Sequence, residues 1–146
     1  MYKLIVKRIV RRAFARLSEG DYEPVVKQFG PQSRFLFAGD HALGGERRGQ
    51  DAARDWFRQM LGLFPGIRIE PQDVVVNGWP WNTVVATHLF ISATLPDGRP
   101  YRNEGMQLLR LRFGRVVEDL IFEDTLKLDE ELKRRGEARP DPVGAR

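Results

Sequence analysis

The apolar residues in the first half of the chain recur at helical spacing. Val6, Val10 and Phe14 lie four positions apart, which predicts an amphipathic helix at the start of the chain. A wider apolar stripe of the same kind predicts a second strong helix over 50–63. The predicted elements of this half are, in order, the N-terminal helix, a short helix over 22–29, a short strand over 34–38 and a helix over 50–63.

From residue 67 onward the pattern changes to runs of β-branched and aromatic residues, which are typical of strands. In one of these runs Arg110 and Arg112 alternate with apolar residues, as in a strand with one buried face. The Pro-Asp-Gly sequence at 96–98 predicts a hairpin turn. The predicted elements of this half are strands over 67–77, 81–95, 100–113 and 116–124 and a short charged helix over 126–135.

This order of elements predicts an α+β fold with the helices on one face of a curved antiparallel sheet. A sheet that wraps over helices in this way forms a cone, with a cavity between its concave face and the helices. The length of 146 residues suits one domain. We expect that domain to span residues 1–135, and residues 136–146, which include two prolines, to form a flexible tail.

The composition excludes several kinds of chemistry. The chain has no cysteine, which rules out disulfides, thiolate nucleophiles and iron–sulfur clusters. Its two histidines, His41 and His88, do not form an HxxxH pair, so we expect no metal site, and no motif implies a cofactor. The glycine-rich stretch over 39–49 lacks the GxxxxGK[ST] spacing of a phosphate cradle and is interpreted as a turn-rich connection.

The net charge of +4 reflects the N-terminal helix, since six basic residues and no acidic residue occur within the first 16 positions. Arg8, Arg12 and Arg16 form a row that is interpreted as a solvated cationic face, with a membrane-surface helix as the alternative. No nucleic-acid-binding module is recognisable, and no apolar run approaches the ~20 residues of a membrane span. We therefore expect a cytoplasmic protein with no nucleic-acid partner and no membrane partner.

Four motifs, taken in order, resemble the nuclear transport factor 2-like superfamily in its SnoaL-like branch, which includes ketosteroid isomerases and polyketide cyclases. The motifs are Gly-Asp at 20–21, RxGxxAARxWF at 47–57, LPDGRPY at 95–101 and GRVVEDLIFED at 114–124. The resemblance spans residues 5–130. It implies a cone-shaped, cystatin-like α+β roll with an apolar pocket, and a homodimer formed through the outer face of the sheet.

The resemblance to ketosteroid isomerases places their carboxylate base at Asp40, nine positions before Gly49. Their oxyanion tyrosine falls at Ala13 and their second donor, a carboxylic acid, falls near Leu109, so neither donor is present. An enolate needs donors aimed at its oxygen. Steroid isomerisation by that mechanism is therefore not expected.

Epoxide hydrolases of the same fold use an Arg-x-Asp pair and a later aspartate. These positions fall at Thr87, Leu89 and Ile121, so epoxide hydrolysis is not expected either. The same alignment predicts which side chains face the pocket, because strand side chains alternate. The residues expected to contact a ligand are Phe14, Trp56, Met60, Thr87, Leu89, Gln107, Leu109, Ile121 and Glu123. Most of them are apolar, so the expected ligand is a small hydrophobic molecule.

The alternation also assigns residues to the two faces of the sheet. Further residues expected to face inward are Val85, Ile91, Leu111 and Asp119. Residues expected on the outer face, where the resemblance implies the homodimer contact, are His88, Phe90, Arg110, Arg112, Phe122 and Asp124.

Asp40 and His41 are the candidate catalytic residues. Asp40 is interpreted as a general base at the pocket mouth, with a pKa raised by apolar walls. The alternative is an aspartate that bonds its own backbone before a glycine-rich turn. The ordinary pKa of histidine suits His41 to proton transfer. Glu123, if it faces inward, would form an acid/base pair with Asp40.

Two classes of function stay open at this point. One is an enzyme of the cyclase or isomerase type that transfers protons on a carbonyl-bearing substrate, with Asp40 as the base. The other is a non-catalytic binding or dimeric assembly module that keeps the fold and has lost the catalytic residues of its relatives.

Overall fold

The structure is a computed structural model that describes residues 1–137, so most of the expected tail, residues 138–146, lies outside the described residues. The helices are α1 (Tyr2–Ser18), α2 (Glu23–Val26), α3 (Gly49–Leu63) and α4 (Thr125–Arg134). The strands are β1 (Phe29–Phe37), β2 (Gly45–Arg48), β3 (Arg68–Trp79), β4 (Asn82–Thr94), β5 (Pro100–Arg112) and β6 (Arg115–Glu123).

The six strands form one sheet in the order β2-β1-β6-β5-β4-β3. Neighbouring strands are antiparallel except β1 and β6, which run parallel. The β4–β5 ladder is unbroken from the pair Thr83 and Leu111 to the pair Thr94 and Pro100, so alternate side chains keep the same face over its whole length. The predicted α+β class, with helices beside a mainly antiparallel sheet, is confirmed.

Two elements differ from the prediction. β1 begins at Phe29, within the predicted short helix, because Phe29 pairs with Val116 of β6. β2 lies in the stretch interpreted as a loop and pairs with β1 from Gly45 to Arg48. Both differences have the same physical reason: these strands are stabilised by partners distant in sequence, which local residue patterns do not reveal.

The helices bury their predicted stripes against the concave face of the sheet. In α1 the buried residues are Val6, Val10, Phe14 and Leu17, and in α3 they are Ala53, Trp56, Phe57 and Met60. Aromatic rings fill the space between α3 and β1, where the Phe35 and Trp56 centroids lie 4.8 Å apart. Across residues 1–137, no helix combines the length and apolar character needed to cross a membrane.

Candidate functional site

A cavity of about 360 Å³ lies between the inner face of the sheet and the helices α1 and α3. This volume is within the range of small-molecule sites. Apolar side chains from both helices and from β4, β5 and β6 form most of its wall. The polar exceptions include Gln107 of β5, and the charged ones among the described residues are Asp119 and Glu123 of β6.

The cavity opens to solvent beside α1 and the β5–β6 turn. Ile5 of α1 and Phe113 of the β5–β6 turn line the cavity and are also exposed, so they mark the mouth. Glu123, at the other end of β6, marks the opposite end of the cavity. Asp119 lies between them along β6 and is more deeply buried than Glu123.

Asp119 is held inside the wall by one hydrogen bond. Gln107 Nε2 donates to Asp119 Oδ1 over 3.0 Å, and Asp119 Oδ2 has no hydrogen bond to the described residues. Burial raises the pKa of Asp119 to about 7, and the hydrogen bond from Gln107 opposes that shift because it stabilises the anion. Asp119 is therefore available as an acid or a base near neutral pH.

The side chain of Glu123 packs against Gly105, where the absence of a Cβ atom leaves room for it. Gly105 lies directly opposite Glu123 in the β5–β6 ladder, and a Cβ atom at Gly105 would come within 2.9 Å of Glu123 Cγ. Asn103 Nδ2 donates to Glu123 Oε2 over 3.2 Å, which orients the carboxyl group. Burial raises the pKa of Glu123 to about 7.

The two carboxyl groups lie on the same face of β6, four residues apart. At the rise of an extended strand their Cα atoms are separated by about 13 Å. Burial dominates both pKa shifts and neither carboxyl group contributes to the other's shift, so each titrates largely by itself. Near neutral pH one of them can donate a proton while the other accepts one.

Most of the predicted ligand contacts do line the cavity. Those that line it are Phe14, Trp56, Met60, Leu89, Gln107, Leu109, Ile121 and Glu123. Thr87 does not: it is fully buried beneath the wall, opposite Gln107 in the β4–β5 ladder. Thr87 therefore lies on the predicted inner face of the sheet, but other side chains separate it from the cavity. That the lining residues contact a ligand stays a prediction.

Asp40 and His41 do not line the cavity, which corrects the expected position of Asp40 at the pocket mouth. Asp40 is exposed, and its charge acts on His41 and on Lys133 of α4. His41 is buried and organises its own loop: Leu43 N donates to Nδ1, and Nε2 donates to the Ala38 carbonyl oxygen. Burial lowers the pKa of His41, so the imidazole is neutral and both ring nitrogens are used structurally.

Sequence reasoning did not single out Asp119 or Asn103 as site residues. Asp119 was expected to face inward, and a carboxylate on an otherwise apolar inner face is the signal that identifies it. Asn103 gives no such signal, because its contact with Glu123 depends on the β5–β6 register.

Within the described residues, no three histidine, aspartate or glutamate side chains are grouped so as to hold a metal ion.

The fold has close counterparts among solved structures. PrhC from Penicillium brasilianum superposes with a TM-score of 0.77 and 16% identity, over 93% of this chain and 91% of PrhC. An NTF2-like protein of unknown function from Burkholderia pseudomallei gives 0.72 and 18%, over 84% and 92%. A cystatin-like protein of unknown function from Xanthomonas campestris gives 0.72 and 23%, over 85% and 95%. These likenesses confirm the predicted fold.

The model of the SnoaL-like domain family matches residues 10–119. This match covers most of the chain, so the chain belongs to the SnoaL-like domain family. None of the curated proteins matches the chain.

Proposed function

We propose that this protein is an enzyme that transfers protons on a small hydrophobic molecule carrying a carbonyl group, as a cyclase or isomerase does. The observation that supports the proposal is the pair of carboxyl groups, Asp119 and Glu123, in an otherwise apolar cavity, each with a pKa of about 7. Catalytic acids and bases work best when their pKa lies near the working pH.

In the proposed step, ionised Asp119 takes a proton from the carbon next to the substrate carbonyl. The C–H electron pair forms the enolate, and protonated Glu123 stabilises the enolate oxygen by donating a hydrogen bond to it while keeping its proton. Return of the first proton from Asp119 to a different carbon gives an isomer. Attack of the enolate carbon on a second carbonyl group of the same molecule, with protonation of the new alkoxide, gives a ring.

The hydrogen bonds support this assignment of base and acid. Gln107 Nε2 donates to Asp119 and so favours its anion, while Asp119 Oδ2 has no partner among the described residues and is free to accept a proton. Glu123 lines the cavity at the end of β6, and its partial burial favours the neutral form of its carboxyl group. A neutral carboxylic acid in an apolar site can serve as an oxyanion donor.

The proposal is tested by deuterium exchange at the α-carbon of a panel of one-, two- and three-ring hydrophobic ketones in D₂O, followed by proton NMR. We expect the wild-type protein to accelerate exchange for at least one ketone. Asp119→Asn should reduce that rate by about 100-fold or more, the usual contribution of a general base. Asp119→Asn keeps the shape and the cavity, so ketone binding measured by saturation-transfer NMR should persist.

Two further substitutions make the test specific. Glu118→Gln is the matched control, because Glu118 is the neighbour of Asp119 on β6 and points to the other side, where it pairs with Arg34. Asp40→Asn tests the candidate from sequence: loss of exchange in Asp40→Asn but not in Asp119→Asn would overturn the assignment. Ketone binding without any exchange would instead identify the non-catalytic binding module.

We also propose that two copies pair through the outer face of the sheet. Phe90, Met106 and Phe122 are each about half exposed on adjacent strands of that face. Charges of both signs surround them, including Glu104 and Arg102. A surface that is apolar at its centre and mixed in charge at its rim suits self-association about a two-fold axis.

A further inference from the structure

The mouth of the cavity is bordered by exposed apolar side chains. The exposed fractions are 76% for Phe113, 63% for Trp79, 59% for Trp81 and 48% for each of Ile5 and Ile9. Ile5, Ile9 and Phe113 also line the cavity, so the apolar surface inside it continues onto the outside of the protein. We refer to these five residues as the apolar rim. Large exposed apolar side chains grouped at an opening mark a contact surface.

The apolar rim is fixed in place by the backbone. Phe113 N donates to the Pro80 carbonyl oxygen over 2.6 Å, which ties the β5–β6 turn to the β3–β4 turn. Trp79 and Trp81 flank Pro80, and their rings stack with centroids 6.0 Å apart. Phe113 also has a φ of 47°, which is costly for a bulky residue. An exposed phenylalanine at a strained position gains nothing from core packing and suggests a role outside the core.

Four arginine side chains lie beside the apolar rim. Arg112 and Arg115 face each other across the β5–β6 hairpin, on either side of Phe113, although like charges in that position are destabilising. On α1, Arg8 and Arg12 lie one turn from Ile5 and Ile9 and so share their side of the helix. Within residues 1–137, none of these four arginines pairs with a carboxylate. They are therefore available to an anionic partner.

We propose that the mouth of the cavity docks onto an anionic phospholipid surface. The apolar rim enters the boundary between headgroups and acyl chains, where tryptophan is favoured, and the four arginines contact lipid phosphates. An apolar ligand then moves between the lipid and the cavity without crossing water. A second copy of the chain fits this surface less well, because two-fold pairing would bring the arginines of one copy against those of the other.

The test is co-sedimentation with vesicles of phosphatidylcholine alone and of phosphatidylcholine mixed with phosphatidylserine. We expect binding to the mixed vesicles, weakened by added salt, and little binding to the neutral ones. The fluorescence of Trp79 and Trp81 should shift to the blue on binding. Trp56 is already buried, so the shift should disappear when Trp79 and Trp81 are replaced by phenylalanine.

Two variants test the proposed groups. Phe113→Asn removes the apolar tip and suits the left-handed backbone, so the turn should fold and vesicle binding should be lost. Arg112→Gln with Arg115→Gln should weaken binding to mixed vesicles by roughly 25-fold, at about fivefold for each cation. The matched controls remove equal charge or apolar surface elsewhere: Arg58→Gln with Arg68→Gln, and Leu126→Ser. Both controls should bind as the wild type does.

Several outcomes would overturn the proposal. These are no binding to either kind of vesicle, unchanged binding by Phe113→Asn and by the arginine pair, or equal losses in the controls. A change in oligomeric mass on Phe113→Asn, without vesicle binding by the wild type, would assign the surface to a second copy. Binding to a single-stranded RNA oligonucleotide in preference to the vesicles would assign the arginines to nucleic acid.

Discussion

Gln107 of β5 and Asp119 of β6 are joined by a 3.0 Å hydrogen bond although they are not direct neighbours in the ladder. Gln107 lies opposite Ile121, and Asp119 lies opposite Leu109, so the bond crosses the ladder diagonally. It leaves the side-chain oxygen of Gln107 buried with no partner in the described structure. That oxygen is suited to accept a hydrogen bond from a hydroxyl group of a bound molecule.

Gln107 should control the protonation of Asp119. Its N–H donor stabilises the ionised carboxylate, so Gln107→Leu should raise the pKa of Asp119 above about 7. The measurement is a carbon-13 NMR titration of the carboxyl groups, in which the Glu123 resonance serves as an internal reference. In activity assays the acidic limb of the pH profile, which reports ionisation of the general base, should move upward with the pKa of Asp119. An unchanged titration of Asp119 would show that the hydrogen bond does not hold in solution.

Protein stability should fall as the pH rises toward neutrality. The pKa of Asp119 is about 7 in the folded protein and near its ordinary value of 3.8 in the unfolded chain. Between these values the folded protein binds more protons, so the free energy of unfolding decreases with rising pH and levels off above about pH 7. For Asp119 the decrease is on the order of 4 kcal/mol. Glu123 adds a change of the same sign.

Asp119→Asn isolates this contribution, because an amide of the same shape does not ionise. We expect the variant to match the wild type below about pH 4 and to be more stable than it above about pH 7. Urea denaturation across this pH range measures both effects. A stability difference that does not change with pH would show that Asp119 is solvated in the folded protein.

Much of the site could be predicted from strand alternation. The parity of β5 and β6 placed Gln107, Asp119 and Glu123 inward, and the structure has no break in the β5–β6 register between Gly105 and Arg110. Strand alternation predicts which face of the sheet a side chain lies on, but not whether the side chain reaches the cavity surface. Thr87 shares the inward parity and still lies beneath the cavity surface, because its neighbours cover it.

The loop residues could not be placed by the same reasoning. The position of Asp40 depends on how the chain turns between β1 and β2, and β2 exists because it pairs with β1. Its neighbour His41 turns into the protein and bonds to the backbone at Ala38 and Leu43. A motif count from Gly49 carries no information about this turn, so it could not place Asp40 relative to the cavity.

His41 should matter for stability rather than for catalysis. His41→Ala removes the partners of the Leu43 amide and the Ala38 carbonyl inside the protein, at a cost of about 2–3 kcal/mol in unfolding free energy. His88→Ala is the matched control. His88 lies on the outer face of the sheet and bonds to the exposed Glu104, so its loss should cost less than about 1 kcal/mol. Thermal and urea unfolding of the two variants gives the comparison.

The proposed dimer predicts that a charge at Phe122 separates the subunits. Phe122 is 51% exposed on the outer face, and Phe122→Asp would place a desolvated charge at the centre of the interface. Light scattering coupled to size exclusion should then report the mass of one chain in place of two. Leu4→Asp is the control, because Leu4 is 65% exposed on α1, the helix that packs on the opposite, concave face of the sheet. Identical masses for wild type and Phe122→Asp would contradict the interface.

Gly105 should be required for the position of Glu123. A Cβ atom at Gly105 would lie 2.6 Å from the Phe122 carbonyl oxygen and 2.9 Å from Glu123 Cγ, and the backbone oxygen has little freedom to move. Gly105→Ala should therefore cost about 1–3 kcal/mol, the usual range for overpacking. It should also displace Glu123 and change its titration in the carbon-13 NMR experiment. Gly62→Ala on α3 is the control: its Cβ would meet nothing within 4 Å, so it should stabilise the helix. Unchanged stability and an unchanged Glu123 titration in Gly105→Ala would contradict the prediction, because they would show that the β5–β6 ladder accommodates a Cβ atom at position 105.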